Sequence, residues 1–194
     1  RFHINYLNTE AYLRVVRWTG EEWVALSPGF NDGIRSFAVY PEGGLVVGGE
    51  FTNAGNTPAK GAAYWDGTAW TSMSLGEMGR VYALATRRFA DIVAGYALFD
   101  GLNINNFVGR WAGNGWQPIA TDLNGAVSSL VFLPNGNLIA AGYFTTINGV
   151  PANYIARWNG TTWSPLGSGL NSSVTSAVVL PNGDLVVAGW FTTA

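Results

Sequence analysis

The pattern Arg/Tyr-Trp-x-Gly-x-x-Trp is written four times in this 194-residue chain. The copies run from Arg17 to Trp23, Tyr64 to Trp70, Arg110 to Trp116 and Arg157 to Trp163. Their leading residues Trp18, Trp65, Trp111 and Trp158 are therefore spaced by 47, 46 and 47 residues. A fixed period of this length means one supersecondary unit stacked several times, each burying its apolar face only against its neighbours.

The third copy shows what one unit contains. Val127 to Leu133 is rich in β-branched and aromatic residues and reads as a strand. Pro134-Asn135-Gly136 is a turn, because Pro fixes φ and Gly admits positive φ. Leu138 to Phe144 opens with an unbroken apolar run, as expected of a strand covered on both faces. Thr145 to Asn153 reads as a loop, Tyr154 to Trp158 as a third strand, and Thr161 to Ser164 as a fourth after the hairpin signal Asn159-Gly160. Read as a two-residue turn, Asn159-Gly160 sets Trp158 opposite Thr161 and Ala156 opposite Trp163. These four side chains then share one face, with the indoles as diagonal neighbours and Arg157 on the other side, across from Thr162. Such a face needs a partner sheet.

Four antiparallel strands in about 47 residues are the signature of a propeller blade. The expected fold is all-β, a single β-propeller repeat array over 1–194. It divides into a half-blade at 1–32, blades at 33–79, 80–125 and 126–172, and a half-blade at 173–194. The first half supplies strands three and four and the last supplies strands one and two. The two halves could close a four-bladed ring, but the preferred expectation is an arc of a longer repeat protein. The hairpin residues Trp18, Trp23, Trp65, Trp70, Trp111, Trp116, Trp158 and Trp163 are expected to act as glue between blades. The glycine ending each second strand (Gly49, Gly95, Gly142, Gly189) is expected to permit close backbone approach or a bulge.

A hydrophobic strand ending in Gly-Gly or Ala-Gly, then Phe, then a Trp hairpin, resembles kelch-type and related bacterial propeller repeats. Leu45-Val46-Val47-Gly48-Gly49-Glu50-Phe51 and Leu185-Val186-Val187-Ala188-Gly189-Trp190-Phe191 carry that resemblance. The Pro-Asn-Gly-x-Leu segments are similar to the Asp-Gly-x-Leu strands of delta-60 propeller repeats and of Rax2-like ectodomains. The resemblance covers nearly the whole chain. It implies a propeller that serves as a surface or interaction scaffold, and it brings no set of catalytic residues.

Some units depart from the pattern. The second has Thr86-Arg87-Arg88-Phe89-Ala90-Asp91 where its neighbours have a Pro-x-Gly turn. Asp91 falls where the others place Leu45, Leu138 or Leu185, and Ala97 replaces the Phe of positions 51, 144 and 191. This blade is expected to be the least regular, with a reshaped turn. In the first unit, Phe2 stands at the Gly position and Ile4 at the Phe position.

Composition narrows the function classes. With 48% hydrophobic and 11% charged residues, the chain is not of the disordered class. A net charge of −2, with nine Arg and one Lys scattered, gives no basic patch for nucleic acid. No apolar run approaches the about 18 residues of a membrane-spanning helix. Without Cys there is no disulfide or thiolate metal site in the stretch. His3 is the only His, which removes Ser-His-Asp and multi-histidine metal arrangements. Glu21, Glu22, Glu50, Asp91 and Asp100 form no recurrent pair. Tyr64 to Trp70 comes near a sialidase Asp box but lacks its Ser and its spacing. No cofactor or metal is expected, and an enzyme would need an active site largely outside this stretch.

The position after the strand-two Gly varies while its surroundings do not: His3, Glu50, Tyr96, Tyr143 and Trp190. These residues are expected at one end of the blades, beside the loops Gly55 to Lys60, Gly101 to Asn106 and Asn148 to Asn153. Glu50, Tyr96, Tyr143 and Trp190 form the candidate surface for a ligand or partner, where aromatic rings could stack on a sugar or grip a peptide. The function expected is a non-enzymatic structural or protein-interaction scaffold of an extracellular or cell-surface protein, the compartment following from low Lys with abundant Asn, Thr, Ser and Gly. Its partners would be other protein chains or further blades. The alternative is a lectin-type propeller that binds glycan at aromatic sites between blades.

Overall fold

The structure, a computed structural model, describes residues 14–26, 28–39, 43–76, 79–87 and 91–194, and their regular structure is entirely β. Expectations for Phe2, His3 and Ile4, and for residues 88–90 of the second unit's turn, lie outside the described residues. Strands β1 (Val16–Trp18) and β2 (Trp23–Ala25) form a hairpin. Then come β3 (Ile34–Val39), β4 (Leu45–Gly49), the small hairpin β5 (Asn53–Ala54) and β6 (Thr57–Pro58), β7 (Ala62–Trp65) and β8 (Trp70–Ser72). They yield the antiparallel sheet β3-β4-β7-β8. Strands β9 (Gly79–Thr86), β10 (Ile92–Asp100), β11 (Asn103–Trp111) and β12 (Trp116–Leu123) pair in chain order as the second sheet. The third sheet is β13-β14-β17-β18, from β13 (Val127–Phe132), β14 (Leu138–Gly142), β17 (Ile155–Trp158) and β18 (Trp163–Pro165); the small hairpin β15 (Thr146–Ile147) and β16 (Val150–Pro151), which lies between β14 and β17 in the chain, pairs with β12 and extends the second sheet to six strands. Finally, β19 (Val174–Val179) pairs with β20 (Leu185–Gly189).

The unbroken apolar runs have a direct cause. Along β10, Ile92, Ala94 and Tyr96 face the first sheet's cluster with Val46 and Met73, while Val93 faces the third sheet's cluster with Leu138 and Phe144. In β14, Leu138 and Ala140 face back toward the second sheet, and Ile139 and Ala141 face forward toward Val174 of β19. The second and third sheets are thus each sandwiched between two others, and period-2 alternation buries both faces of their second strands.

The Trp hairpins close differently from the two-residue reading. Trp158 pairs directly with Trp163 and Arg157 with Ser164, so the loop has four residues and the fourth strand starts at Trp163 rather than Thr161. Trp18–Trp23, Trp65–Trp70 and Trp111–Trp116 share this register. In three of the four hairpins the side chain after the first Trp caps this longer turn. Asn159 Oδ1 accepts from the N–H groups of Thr161 and Thr162 at 2.9 and 2.8 Å, and Asp66 Oδ1 does the same for Thr68 and Ala69. These donors hold the exposed Asp66 carboxyl below its ordinary value of 3.8, Ala69 N–H first and then Thr68. Thr19 Oγ1 accepts from Glu21 and Glu22, whereas Ala112 leaves only the backbone bond from its N–H to Gly115 O. Direct opposition still puts both indoles on one face, with ring centroids 5.1–5.4 Å apart in the four hairpins.

That face packs on the preceding sheet, and a polar bond fixes it there. The indole N–H of Trp70 donates to Leu26 O at 3.4 Å, that of Trp116 to Met73 O at 2.7 Å and that of Trp163 to Ile119 O at 2.8 Å. Each acceptor belongs to the last strand of the sheet before, or to the residue that follows it. Trp18 and Trp23, on the first hairpin, remain 51% and 59% exposed.

The strand-two glycines meet backbone at close range. A Cβ on Gly49, Gly142 or Gly189 would overlap the carbonyl oxygen of Gly33, Ala126 or Ser173, the residue just before the first strand. Beside each of them the first strand carries a bulge, at Arg35, Ser128 and Thr175. Gly95 differs: a Cβ there would meet Val127 of the next sheet at 2.7 Å.

Three sheets also share a device that sequence reading did not isolate. Asn31 takes the N–H groups of Thr52 and Asn53 on its Oδ1 and donates to Thr52 Oγ1 at 2.7 Å; Asn124 does this for Thr145 and Thr146, and Asn171 for Thr192 and Thr193. Each clasp turns the chain away after the Gly. In the second sheet Leu98 stands in place of the clasped Thr, and β10 runs on to Asp100, turns at Gly101-Leu102 and returns as β11. Gly101 to Asn106 is therefore mostly strand, not a counterpart of the loops at 55–60 and 148–153, which themselves contain β6 and β16.

Replacing Trp163 by Phe removes the indole donor and leaves the Ile119 carbonyl only the 3.4 Å bond from Asn148 Nδ2, and is expected to lower unfolding free energy by about 1–2 kcal/mol. The same change at Trp23 is expected to cost less than ~0.5 kcal/mol. Urea denaturation of the two variants provides the comparison.

Candidate functional site

The first strands of successive sheets lie side by side, β3 by β9, β9 by β13 and β13 by β19. Serine side chains tie them: Ser36 Oγ accepts the N–H of Leu84 at 3.0 Å, and Ser129 Oγ accepts that of Ala177 at 3.0 Å. Ser128 Oγ donates to Val174 O at 2.6 Å. A bulged residue is unpaired and re-aimed. The bulges therefore bring Arg35, Tyr82 and Ser128, from three different sheets, to one end, where with Val127 and Tyr143 they line an open cleft of about 590 Å³.

The four candidate residues do not behave alike. Glu50 lies beside this cleft and accepts from Arg35 Nε at 2.7 Å, with Arg35 Nη2 in close contact on the same oxygen and Arg80 Nε 3.7 Å from the other. Arg35 lies over the Tyr82 ring (5.6 Å to the centroid) and Arg80 over Phe99 (4.7 Å). These are half-exposed guanidinium–aromatic contacts on a cluster with one more positive than negative charge. Tyr143 is 51% exposed at the cleft wall, and Trp190 is 74% exposed at the equivalent position on β20's end.

Tyr96 is not at this surface. It is 6% exposed, stacks on Phe107 at 5.3 Å with planes 16° apart, and approaches Trp116 at 6.3 Å. The missing clasp is the reason. Where Asn and Thr turn the chain, the residue after Gly enters a loop and points outward; in β10 the strand continues, so the alternation carries Tyr96 inward with Ile92 and Ala94. Gly109 makes the room, since a Cβ there would sit 2.7 Å from Tyr96 Cε1. Burial pushes the Tyr96 phenol above its ordinary value of 10.0.

Sequence reading missed Arg35, Tyr82 and Arg80. The signal for Arg35 and Tyr82 was present, because positions 35, 82, 128 and 175 keep the repeat period while their side chains change. Among the described residues no group of three or more His, Cys, Asp or Glu side chains comes together, and no helix is long and apolar enough to cross a membrane.

Residues 133–160 match the family described as "Domain of unknown function (DUF5122) beta-propeller". The match covers the turn before β14, β14 itself, the small hairpin, β17 and the start of the Trp hairpin. No curated protein matches the chain. Among solved structures, the chain is similar to the extracellular domain of BT4673 from B. thetaiotaomicron, at 12% identity and a TM-score of 0.42 over 86% of this chain. It spans only 27% of that chain. It is also similar to the WD40 beta propeller domain of Doa1, at 12% identity and a TM-score of 0.33 over 86% of this chain and 79% of that one.

The Tyr96 shift has a sign that can be measured. A phenol whose folded value is raised contributes stability that is fully present below the unfolded value of 10.0 and is lost as pH rises through the folded one. Wild-type unfolding free energy is expected to fall more steeply above pH 10 than that of Tyr96→Phe, and denaturation at stepped alkaline pH reads the difference.

Proposed function

We propose that the chain forms three blades and two complementary half-blades of a β-propeller, and that it acts as a non-enzymatic protein-interaction scaffold of an extracellular or cell-surface protein. The observation that carries this reading is the cleft at the strand-two end. There a repeated Gly and bulge, joined by the Asn–Thr clasp in three of the sheets, present side chains that differ from sheet to sheet: Arg35 and Glu50, Tyr82, Ser128 and Tyr143, then Trp190. Rigid framework with variable display is how repeat scaffolds build binding surfaces. The sheet order and the 133–160 family match support the propeller, and the composition supports the compartment. A photo-crosslinker placed at position 143 is expected to capture a protein from the native host surface, and Arg35→Ala with Trp190→Ala is expected to abolish that capture. Capture that survives both changes, or that occurs equally from position 162 on a hairpin loop, would refute the site.

The exposed flat faces of Tyr143 and Trp190 favour one second reading, glycan binding. A glycan array decides it: no binding by the wild type removes the lectin, and binding lost in Tyr143→Ala and Trp190→Ala replaces the scaffold reading.

The half-blade proposal makes a register-level statement. Ala140 pairs with Ala156 between β14 and β17, and the corresponding residues are Val187 on β20 and Val16 on β1. In a chain free of Cys, the Val16→Cys/Val187→Cys pair is expected to oxidise to a disulfide, inside one chain if the ring closes and between copies if it does not. The pair Val16→Cys/Val186→Cys, one residue out of register, is expected to remain reduced. Non-reducing electrophoresis separates the outcomes, and no disulfide from the first pair removes the complementarity.

A further inference from the structure

Six Asn-Gly pairs occur in the chain, beginning at Asn114, Asn124, Asn135, Asn148, Asn159 and Asn182. Glycine after asparagine, having no Cβ to shield its nitrogen, opens the pair to a reaction of its own. The backbone nitrogen of Gly attacks Cγ of the Asn side chain, ammonia leaves, and a cyclic imide forms. Water then opens the ring to aspartate or isoaspartate. The sequence of steps consumes water alone and needs no catalyst. It requires an amide side chain free to turn onto the backbone and a Gly N–H free to lose its proton. A hydrogen bond that occupies either group opposes it.

Five of the pairs are held. Asn124 commits its amide to the clasp on Thr145 and Thr146. Asn148 Oδ1 accepts from the N–H groups of Thr121 and Asp122, while its Nδ2 donates to Ile119 O. Asn159 caps Thr161 and Thr162 with Oδ1 and donates from Nδ2 to Thr162 Oγ1 at 3.2 Å. At the two Pro-Asn-Gly turns, Oδ1 of Asn135 and Asn182 accepts from the N–H of Asn137 and Asp184. The Gly N–H is occupied there too, donating from Gly136 to Leu133 O at 2.9 Å and from Gly183 to Leu180 O at 2.8 Å. Asn114 is the exception. It is exposed between Gly113 and Gly115 in the Trp111–Trp116 hairpin, and its side chain makes no hydrogen bond among the described residues. A Cβ on either of these glycines would meet nothing within 4 Å, so the loop is unobstructed. The missing cap is the cause. In the other three hairpins the side chain after the first Trp accepts from Glu21 and Glu22, Thr68 and Ala69, or Thr161 and Thr162. Asn114 and Gly115 hold those two positions here, and Ala112 has nothing to offer them. The Gly115 N–H, the nucleophile of the reaction, therefore has no acceptor among the described residues.

We infer that Asn114 is a site of self-modification, converting through the imide to aspartate and isoaspartate while the other five Asn-Gly pairs persist. Either product puts a carboxylate on a loop that carries no charge. Isoaspartate also adds one main-chain carbon between Trp111 and Trp116, the indole pair whose N–H bond to Met73 O ties the second sheet to the first. The whole chain, incubated at mildly alkaline pH and mapped by peptide mass spectrometry, reports the exchange of amide for acid at each Asn separately. Asn114 is expected to convert at least tenfold faster than any of the other five. In concentrated urea the six rates are expected to converge, because the restraints are gone and every Asn still precedes Gly. Ala112→Thr supplies the cap that Thr19 provides on the first hairpin, and it is expected to slow Asn114 at least fivefold with the Asn-Gly pair itself unchanged. Circular dichroism establishes that the variant is folded, and Ala112→Asp, which copies Asp66, serves if it is not. Conversion of Asn114 no faster than that of the other pairs, an equal advantage for Asn114 in urea, or a wild-type rate in a folded capped variant overturns the inference.

Discussion

A single indole N–H, donated from one sheet to a backbone carbonyl on the outer edge of the sheet before it, is the bond on which the stacking depends. It recurs at Trp70, Trp116 and Trp163. The first Trp of each hairpin lies directly opposite and is tilted against it, so the bond anchors a double-aromatic slab rather than one ring. Both faces of each central strand are apolar, and a sheet of this kind has no stable existence alone. The slab sets the distance and angle at which the next sheet must arrive, and the alternation along β4, β10 and β14 then fills the space between.

Near the cleft of the proposed scaffold surface, the backbone rather than the side chains fixes the geometry. Gly49, Gly142 and Gly189 let a carbonyl approach that no other residue would tolerate, and the bulge beside each re-aims one side chain. The Asn–Thr clasp then turns the chain outward. Where the clasp is lost, the sheet lengthens and its variable residue becomes core, as Tyr96 shows. One hydrogen-bonded pair thus decides whether a position is displayed or buried.

Much of the fold was legible because its signals are periodic. Strand existence, the Pro-x-Gly turns, the close approach at the strand-two Gly and the shared face of each Trp pair all follow from local chemistry repeated at one spacing. The hairpin register was misjudged because Asn159-Gly160 is also the start of a longer turn, in which the two Trp residues pair directly and Asn159 caps Thr161 and Thr162. The clasp was not seen because Asn and Thr in loops are common, and their 21-residue separation means nothing until the sheet is folded. Tyr96 was placed on the surface by alignment alone, which assumed that its neighbours turn the chain as theirs do. The Arg87–Asp91–Arg110 cluster showed in sequence only as an oddity at Asp91. Arg87 lies four residues away in the same turn, but Arg110 comes from β11 and only the folded sheet brings it to Asp91.

The tryptophan bonds all run in one sense, from each sheet toward the one before it. A sheet therefore has a donor side and an acceptor side, and the array has a polarity like that of a filament. Two such surfaces joined through a two-fold axis would set donor against donor or acceptor against acceptor, so these faces are unsuited to isologous dimers. Growth through them is head-to-tail. Stacked sheets joined in this way must close on themselves, be capped by a different surface, or keep adding units in the same direction.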